Sequence, residues 1–515
     1  MSLVLGLDSS TQSLSAVILD TDQGIVVAGD SVNFGQDLPD YGQPHGYDES
    51  GLRGEIHANP LMWVEALDLL LGRMKGAGVD FSKIEAVSGS GQQHGSVYLR
   101  SCFDEKLASL SASSDLKSQL AGCLARQSSP IWMDSSTSGE CSEIAAAVGG
   151  NQIVCSKSGS VAVARFTGPQ IRKFFKTESD AYAETGVIHL VSSFFASILA
   201  GKSVAIDHGD GAGMNLMNLA EKEWDRDLVN ATADGLLEKL PPCALSSTKS
   251  GPVSSYFVEK YGFSPICETI IWSGDNPCSL IGMGAASPGK VVISLGTSDT
   301  LFAAMPEPRT DPNGFGHVFG NPAGGYMSLI CFKNGSLARE AVKKKFDLDW
   351  SAFEKEALSA TPIGNDGLMM LPFYEPEITP AIDTGGPVFS KEGDHSPEAT
   401  VRAVMEGQFL NMRAHSGWLG VDPERIYITG GASENDGIAQ MIANVFGVPV
   451  DRLDVPGSAT IGAAMRAAHG TGTDLAELES KFSQPKEGRT IAPEVGAKEI
   501  YDGMIDSFQA FIHQQ

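Results

Sequence analysis

The chain is short of positive charge. It carries 37 Lys and Arg against 63 Asp and Glu in 515 residues, a formal net charge of −26. So acidic a surface repels nucleic acid and anionic lipid, and neither is an expected partner. It also repels any polyphosphate at long range, so a phosphate site must be built from local donors or a metal. The eight cysteines include no C-x-x-C pair. That argues against a zinc site and a disulfide framework, and fits a reducing, cytoplasmic setting. The ten histidines show no H-x-x-x-H spacing. No basic leader precedes an apolar run at the N-terminus, which speaks against a secretory signal. No apolar run approaches the roughly 20 residues that span a bilayer. Low-complexity segments and short tandem repeats are also missing.

What is present is a turn that occurs twice. Val4-Leu5-Gly6-Leu7-Asp8-Ser9-Ser10-Thr11-Gln12 leads into the apolar stretch Leu14 to Leu19. Far along the chain, Val291-Val292-Ile293-Ser294-Leu295-Gly296-Thr297-Ser298-Asp299-Thr300 leads into Leu301-Phe302-Ala303-Ala304. Each reads as strand, tight turn of small hydroxyl residues, and second strand. Such a turn exposes backbone N–H groups and short hydroxyls with no bulk in the way, which suits a phosphate. Either copy alone also reads as an ordinary hairpin. Two copies point to two related domains that share a nucleotide.

A chain this long exceeds a single core, so two or more domains are expected. Helical and strand patterns alternate, the mark of α/β architecture. Asn59-Pro60 reads as a helix start with proline at the first helical position, followed by the stripe Leu61, Val64, Leu67, Leu70 and Leu71. Ile84 to Val87 reads as a short buried strand ending in Ser88-Gly89-Ser90-Gly91. Val191 to Ala200 reads as a buried helix closed by Gly201. A second unit begins near residue 286, where Ser287-Pro288-Gly289 precedes the repeated hairpin. Arg425 to Thr429 forms a strand running into Gly430-Gly431-Ala432-Ser433. A helix follows with Ile438, Met441, Ile442, Val445 and Phe446 on one face, and Asp436 near its start favours the helix dipole. The Pro-rich, acidic stretch 374–398 is expected to be a surface loop.

Several residues carry chemistry. Asp8 opens the first turn, where a carboxylate holds Mg²⁺ directly or through water, or else caps an Asx-turn. Gly430-Gly431 lets a flat group approach the backbone, or merely makes a tight strand-to-helix connection. Gly89-Ser90-Gly91-Gln92-Gln93-His94-Gly95 gathers the donors and acceptors a polyol needs, although a lone histidine is more often structural. Ser273-Gly274-Asp275-Asn276-Pro277 and Asp207-His208-Gly209-Asp210-Gly211-Ala212-Gly213 each offer an acid as a general base or as a turn residue. Composition does not choose between them.

In this order these stretches resemble the FGGY family of carbohydrate kinases, over essentially the whole chain. The most specific are Ser90-Gly91-Gln92-Gln93-His94-Gly95-Ser96, Pro130-Ile131-Trp132-Met133-Asp134-Ser135-Ser136 and Arg165-Phe166-Thr167-Gly168. Asp210-Gly211-Ala212-Gly213-Met214-Asn215-Leu216, Gly274-Asp275-Asn276-Pro277, the second hairpin, Cys331-Phe332-Lys333-Asn334-Gly335-Ser336-Leu337 and Gly430-Gly431-Ala432-Ser433 add to them. The resemblance implies two actin/ribonuclease H-like domains with a catalytic cleft between them. Residues 1–285 would form a sugar-binding domain with the first phosphate turn, and 286–515 a nucleotide-binding domain. It implies Asp275 as catalytic base and sugar contact. His94, Arg165 and Asn276 are implied as further sugar contacts, with Trp132 and Asp134 nearby. Thr11, Gly296, Thr297, Trp350, Gly430, Gly431 and Asn435 fall to ATP, and Asp8 to Mg²⁺. Asp210 takes a supporting role. One departure stands out: many bacterial relatives carry Pro-Lys where this chain has Pro169-Gln170, which weakens transfer from them around Arg165.

The expected reaction is phosphoryl transfer from MgATP to the O5 hydroxyl of a ketopentose, D-xylulose. The protein's part is to position the reactants and stabilise charge, with the lobes closing to exclude water. The competing readings are an FGGY kinase for ribulose or another polyol, and an actin-like ATPase without a sugar substrate. No partner beyond sugar and ATP is expected, and the protein is expected to be a monomer or homodimer.

Overall fold

The computed structural model describes residues 2–51, 54–453, 455–486 and 488–514. They form two compact units. The first holds Met1–Ala286, Val318–Tyr326 and Val455–Ser483, and the second Ser287–His317, Met327–Asp454 and Gln484–Gln515. A stretch late in the chain, 455–483, thus completes the unit that the N-terminus begins. Among the described residues no helix is long and apolar enough to cross a membrane.

In the first unit, Leu3–Ser9 and Ser13–Asp20 form the expected hairpin, extended by the antiparallel edge strand Ile25–Asn33. On its other side Leu3–Ser9 pairs in parallel with Ile84–Gly91, which in turn pairs in parallel with Glu268–Ile270. Numbered within the unit, these five strands run 3-2-1-4-5. The second unit repeats that order with Tyr326–Phe332, Asp299–Met305, Lys290–Leu295, Arg425–Thr429 and Val450–Arg452. Its hairpin is again antiparallel, and its last two strands are again parallel to the first. A meander followed by parallel strands, built twice, is the actin and ribonuclease H-like fold.

Alternation along Leu3–Ser9 sets the layers of the first unit. Leu3, Leu5 and Leu7 face a core with Trp63, Leu67, Leu70 and Leu71 of the Pro60–Gly76 helix and Phe194, Phe195 and Ile198 of the Val191–Ala200 helix. Asn59 caps the former, its side chain accepting from Leu61 N, and Gly201 at φ 70° closes the latter. The opposite face carries Val4, Val17 and Ala86 against Ala464, Met465 and Ala468 of the Ser458–Thr471 helix. That helix lies almost on the strands: a Cβ at Gly6 would fall 2.4 Å from Thr460 O and 2.5 Å from Ala464 N.

The same helix packs backbone to backbone on the Asp275–Gly282 helix. A Cβ at Gly282 would lie 2.0 Å from Ser458 O, and one at Gly462 would lie 1.9 Å from Cys278 O. Real Cβ atoms do not approach so closely, so both positions require glycine for space. Both residues have ordinary φ values.

One expectation needs correction. The strand from Ile84 does not end at Val87 but runs to Gly91. Ser88, Gly89, Ser90 and Gly91 stay in register with Gly6, Leu7, Asp8 and Ser9. Their smallness serves packing rather than turning, because a Cβ at Gly89 would lie 2.2 Å from the Trp272 ring. The 374–398 stretch is mostly exposed, yet Glu377 turns inward and accepts from Lys333 N at 2.7 Å and Asn334 N at 3.1 Å. In the second unit, the helix Asp436–Phe446 buries Ile438, Met441, Ile442, Val445 and Phe446 as its pattern predicts.

Gly462→Ala adds the one methyl group that the helix pair cannot hold. The variant is expected to lose about 1–3 kcal/mol, the usual range for overpacking, seen as a lower midpoint in urea denaturation with an unchanged slope.

Candidate active site

Sheet register builds the first site. Asp8, Ser90 and Ser273 lie side by side at the ends of three strands, Asp8 paired with Ser90 and Ser90 with Ser273. The chain then turns into the Asp275–Gly282 helix, with Asp275 in its first turn. Asp8 accepts a short hydrogen bond from the Ser90 hydroxyl. Burial lifts the Asp8 carboxyl to about 7, with the Asp275 charge adding to the rise and Ser90 opposing it. Burial lifts Asp275 to about 6, against hydrogen bonds from backbone N–H groups. Asp275 is partly exposed, whereas Asp210 is 1% exposed. Asp210 accepts from Ser192 Oγ through Oδ2, its Oδ1 has no partner, and burial raises its pKa well above the carboxylate range. Of the two acids that sequence left as candidate bases, Asp275 is therefore the one an external hydroxyl can reach.

Amides surround Asp275. Asn276 donates from Nδ2 to Gln93 Oε1 at 2.8 Å and to Asp275 Oδ1 at 3.2 Å, and its backbone N–H reaches the same Oδ1 at 2.9 Å. The first of these bonds fixes the Gln93 amide orientation. Gln93 Nε2 is then a buried donor without a partner, and Gln92 Nε2 and Oε1, a donor and an acceptor, and the hydroxyls of Ser9 and Ser273 are likewise buried and unpaired. An unmet buried donor or acceptor costs about 1–3 kcal/mol. A cluster of them beside a reachable carboxylate is the setting that a polyhydroxyl ligand satisfies. Gln93 was not singled out from sequence. Its only signal was its place in the Gln92-Gln93-His94 stretch.

His94 adopts φ 70°, stacks on Phe166 at 4.1 Å between ring centroids and contacts Gly213 O through Nδ1 at 2.8 Å. A carbonyl only accepts, so Nδ1 carries the hydrogen and Nε2 is the acceptor of the neutral ring. Gly213 is bare for this ring, since a Cβ there would lie 3.0 Å from two of its atoms. Arg165 holds its guanidinium 5.9 Å from the Phe166 centroid, on the same aromatic support. Trp132, 44% exposed, donates from Nε1 to Thr11 Oγ1 at 2.9 Å.

Asp134 lies apart from this group. It is fully buried and accepts from Ser136 N, Ser136 Oγ, Gln170 Nε2 and Ile56 N, with His57 Nε2 3.3 Å away. These partners outweigh burial and hold its carboxyl far below the usual range. The same bonds explain Pro169-Gln170. Gln170 Nε2 also donates to Ala164 O at 3.1 Å, next to Arg165, so the glutamine braces the arginine loop against Asp134.

Sequence reasoning missed Arg466. It reaches from the Ser458–Thr471 helix and is 3% exposed. Its guanidinium donates to Gly89 O, Ser246 O and Ile271 O at 3.1, 2.9 and 2.8 Å. Gly89 lies on the strand that ends at Gly91 and Ile271 just before Ser273, so one buried cation ties together two segments that lead to Asp275, and the Ser246 loop with them. An arginine on an alanine-rich helix gives no hint of this in sequence.

The second unit contains a cavity of about 500 Å³ whose wall includes Gly296, Thr297, Ser336, Trp350, Gly431 and Asn435. Gly430 backs this wall. It sits at φ 90°, and a Cβ would lie 2.4 Å from Leu295 O. The Gly296 turn is fixed from behind: Asp299 Oδ1 accepts from Gly296 N, and Arg339 holds both Asp299 oxygens at 3.0 and 3.2 Å. Ser336 starts the Ser336–Lys345 helix, whose N-terminal end favours an anion. Trp350 is 43% exposed and packs edge-on to Phe353. Asn435 caps the Asp436–Phe446 helix, its Oδ1 accepting from Ile438 N at 2.9 Å. Where the first turn has Asp8, the second has Gly296 at the corresponding point of its hairpin and turns its own acid, Asp299, inward.

A duplicated actin-like fold with a reachable carboxylate among unmet amides and hydroxyls has the features that a phosphotransferase for a polar substrate needs. The N-terminal domain of the FGGY family of carbohydrate kinases matches residues 127–282, and its C-terminal domain matches residues 291–471. Xylulose kinase 2 of Arabidopsis thaliana is 44% identical over 91% of this chain and 87% of its own length. The xylulose kinase of Mus musculus is 42% identical over 98% and 93%. A solved xylulose kinase from Rhodospirillum rubrum superimposes with a TM-score of 0.82 at 20% identity, covering 99% of this chain and 98% of that one, a likeness of fold. The chain belongs to the FGGY family of carbohydrate kinases and is a carbohydrate kinase.

Proposed function

We propose that this enzyme phosphorylates D-xylulose at O5 with MgATP, giving D-xylulose 5-phosphate and ADP, and that it works in the cytoplasm. The observation that carries the chemistry is the setting of Asp275, a partly exposed carboxylate held by Asn276 beside the unmet donor of Gln93. The sugar's identity rests on the relatives that bear the name xylulose kinase over nearly the whole chain. The eight cysteines, free of disulfides, support a reducing compartment.

In this reading the unit that begins at the N-terminus takes the sugar. Residues 1–285 supply its contacts and 286–515 take the nucleotide. His94 Nε2, Gln93 Nε2, Asn276 and the Arg165 guanidinium divide the sugar's hydroxyls and carbonyl between acceptor and donors. Trp132 and Thr11 close one side. Asp134 acts at a distance, by holding Gln170 and hence the Arg165 loop. Asp275 takes the proton from the O5 hydroxyl as that oxygen bonds to the γ-phosphorus and the bond to the β–γ bridging oxygen breaks. General base assistance is worth about 10²–10⁴-fold. Positioning and charge stabilisation account for the remainder. Trp350 stacks on the adenine, Gly431 and Asn435 flank it, and the Gly296-Thr297 turn with the N-terminal end at Ser336 receives the phosphates.

Asp8 suits Mg²⁺. It is a strand-end carboxylate whose proton affinity is raised by burial beside a second acid, so a cation there relieves an unfavourable negative charge. Among the described residues no cluster of three His, Cys, Asp or Glu could hold a metal by itself. That fits an ion carried mainly by phosphates and water, with one carboxylate from the protein. When bound, Mg²⁺ neutralises phosphate charge that a −26 chain otherwise repels.

The test is ADP release from MgATP with D-xylulose, D-ribulose, L-ribulose, L-xylulose, glycerol or no sugar. Stimulation by D-xylulose above the others is expected. Stimulation by another sugar reassigns the substrate within the family. A rate that no sugar changes supports the actin-like ATPase reading and removes Asp275 from its role.

The raised carboxyls also set a pH dependence. Asp275 accepts a proton only when ionised, so kcat/KM for the sugar is expected to fall as pH drops through about 6. Asp8, at about 7 without a cation, adds a second loss that more Mg²⁺ shifts to lower pH, because the ion competes with the proton. A profile flat between pH 5 and 8 at every Mg²⁺ concentration contradicts both assignments.

A further inference from the structure

Cys102 and Cys123 are distant in sequence, yet their sulfurs are 3.6 Å apart, with Cys102 Sγ–H directed to Cys123 Sγ. Cys102 precedes the Phe103–Ala108 helix and is partly exposed, whereas Cys123 ends the turn Ala121–Cys123 and is 1% exposed. The two segments already lie along each other. Leu99 and Leu124 form an antiparallel bridge, Ala125 N donates to Tyr98 O at 2.9 Å, and Arg100 Nε donates to Leu124 O at 3.1 Å. Closing the remaining gap between the sulfurs to the roughly 2 Å of a disulfide therefore asks for side-chain rotation rather than movement of a strand. We propose that Cys102 and Cys123 form a reversible dithiol–disulfide site.

The chemistry needs an oxidant of the peroxide class. Cys102, the more accessible thiol, attacks one peroxide oxygen as its thiolate. The O–O bond breaks, and a sulfenic acid and water form. Cys123 sulfur then attacks the Cys102 sulfur, an S–S bond replaces the S–O bond, and a second water leaves with the Cys123 proton. Two thiols and one hydrogen peroxide thus give one disulfide and two waters. Burial and the adjacent Cys102 keep Cys123 a thiol, pushed up to about 12, while Lys106 and Arg100 bring positive charge that opposes the rise. That asymmetry fits an exposed cysteine reacting first and a sheltered neighbour resolving it.

The bond would staple two segments that lead into the sugar site. The Ser96–Arg100 strand leaves His94 and ends just before Cys102. From Cys123 the chain runs to the Ser129–Pro130 strand and on to Trp132. Closing a loop between Cys102 and Cys123 restricts the unfolded chain and so raises thermal stability. The resting form in a reducing compartment is the dithiol.

Full-length enzyme, fully reduced, is treated with hydrogen peroxide at low molar excess. Free thiols are titrated, peptides are mapped by mass spectrometry without reduction, and Tm is measured. The expected result is loss of two of the eight titratable thiols, a linked Cys102–Cys123 peptide lighter by two hydrogens, and a higher Tm. Dithiothreitol should reverse all three. Cys102→Ser, at a partly exposed position, should show neither linkage nor Tm rise, and Cys123→Ala provides the same control from the buried side. No linked peptide, sulfinic acid at Cys102 with Cys123 still titratable, or an equal Tm rise in Cys102→Ser would overturn the proposal. None of these readouts depends on which sugar the enzyme uses.

Discussion

The backbone contact between Gly282 and Gly462 fixes where Asp275 stands. A side chain on either residue would collide with carbonyl oxygens of the other helix, so the Asp275–Gly282 helix can sit only where the Ser458–Thr471 helix lets it. That second helix is pressed in turn on the strand of Asp8 through Gly6. One helix from late in the chain thus sets the spacing between the strand end that carries Asp8 and the helix start that carries Asp275. Arg466, on the same helix, then binds the carbonyls of the segments that reach the site. These acceptors, and the nearby charge of Asp210, offset the cost of burying its own charge.

The acids of the molecule divide by their partners. Asp134 and Asp299 are buried and supplied with donors: a histidine, a hydroxyl and amides for Asp134, an arginine for Asp299. They hold loops in place. Arg339 opposes the rise that burial gives Asp299, whereas Asp8 is bonded by a hydroxyl and Asp275 by amide groups, and burial lifts them to about 7 and about 6. A group in that range exchanges protons or recruits a cation with little change in driving force, which suits a base and a metal ligand. The distinction follows from local hydrogen bonding, since all four residues look alike as acids after apolar stretches.

Much of this was legible in the sequence where local physics dominates. The two hairpins follow from alternation around a turn of small residues, and the helices at Pro60, Val191 and Asp436 follow from caps and apolar periodicity. Asp275 and its amide neighbour stood out because polar groups cluster just after an apolar strand. Features set by long-range packing were hidden. Ser88-Gly89-Ser90-Gly91 reads as the end of a strand because nothing local shows that Trp272 will cover Gly89. Arg466 and the return of residues 455–483 to the first unit depend on contacts between distant parts of the chain. Asp134 shares a motif with Trp132, but its bonding partners Ile56, His57 and Gln170 lie elsewhere in the chain, and the motif does not show them.

The central claim is that Asp275 is placed for proton transfer and is not required for the fold or for holding the sugar. The most direct measurement compares Asp275→Asn with the wild type in two assays, calorimetric binding of D-xylulose and single-turnover phosphoryl transfer. Asparagine keeps the shape and removes the proton acceptor. The account predicts sugar affinity within a few-fold of wild type and a transfer rate lower by about 10²–10⁴-fold. Wild-type-like transfer in that variant would contradict it.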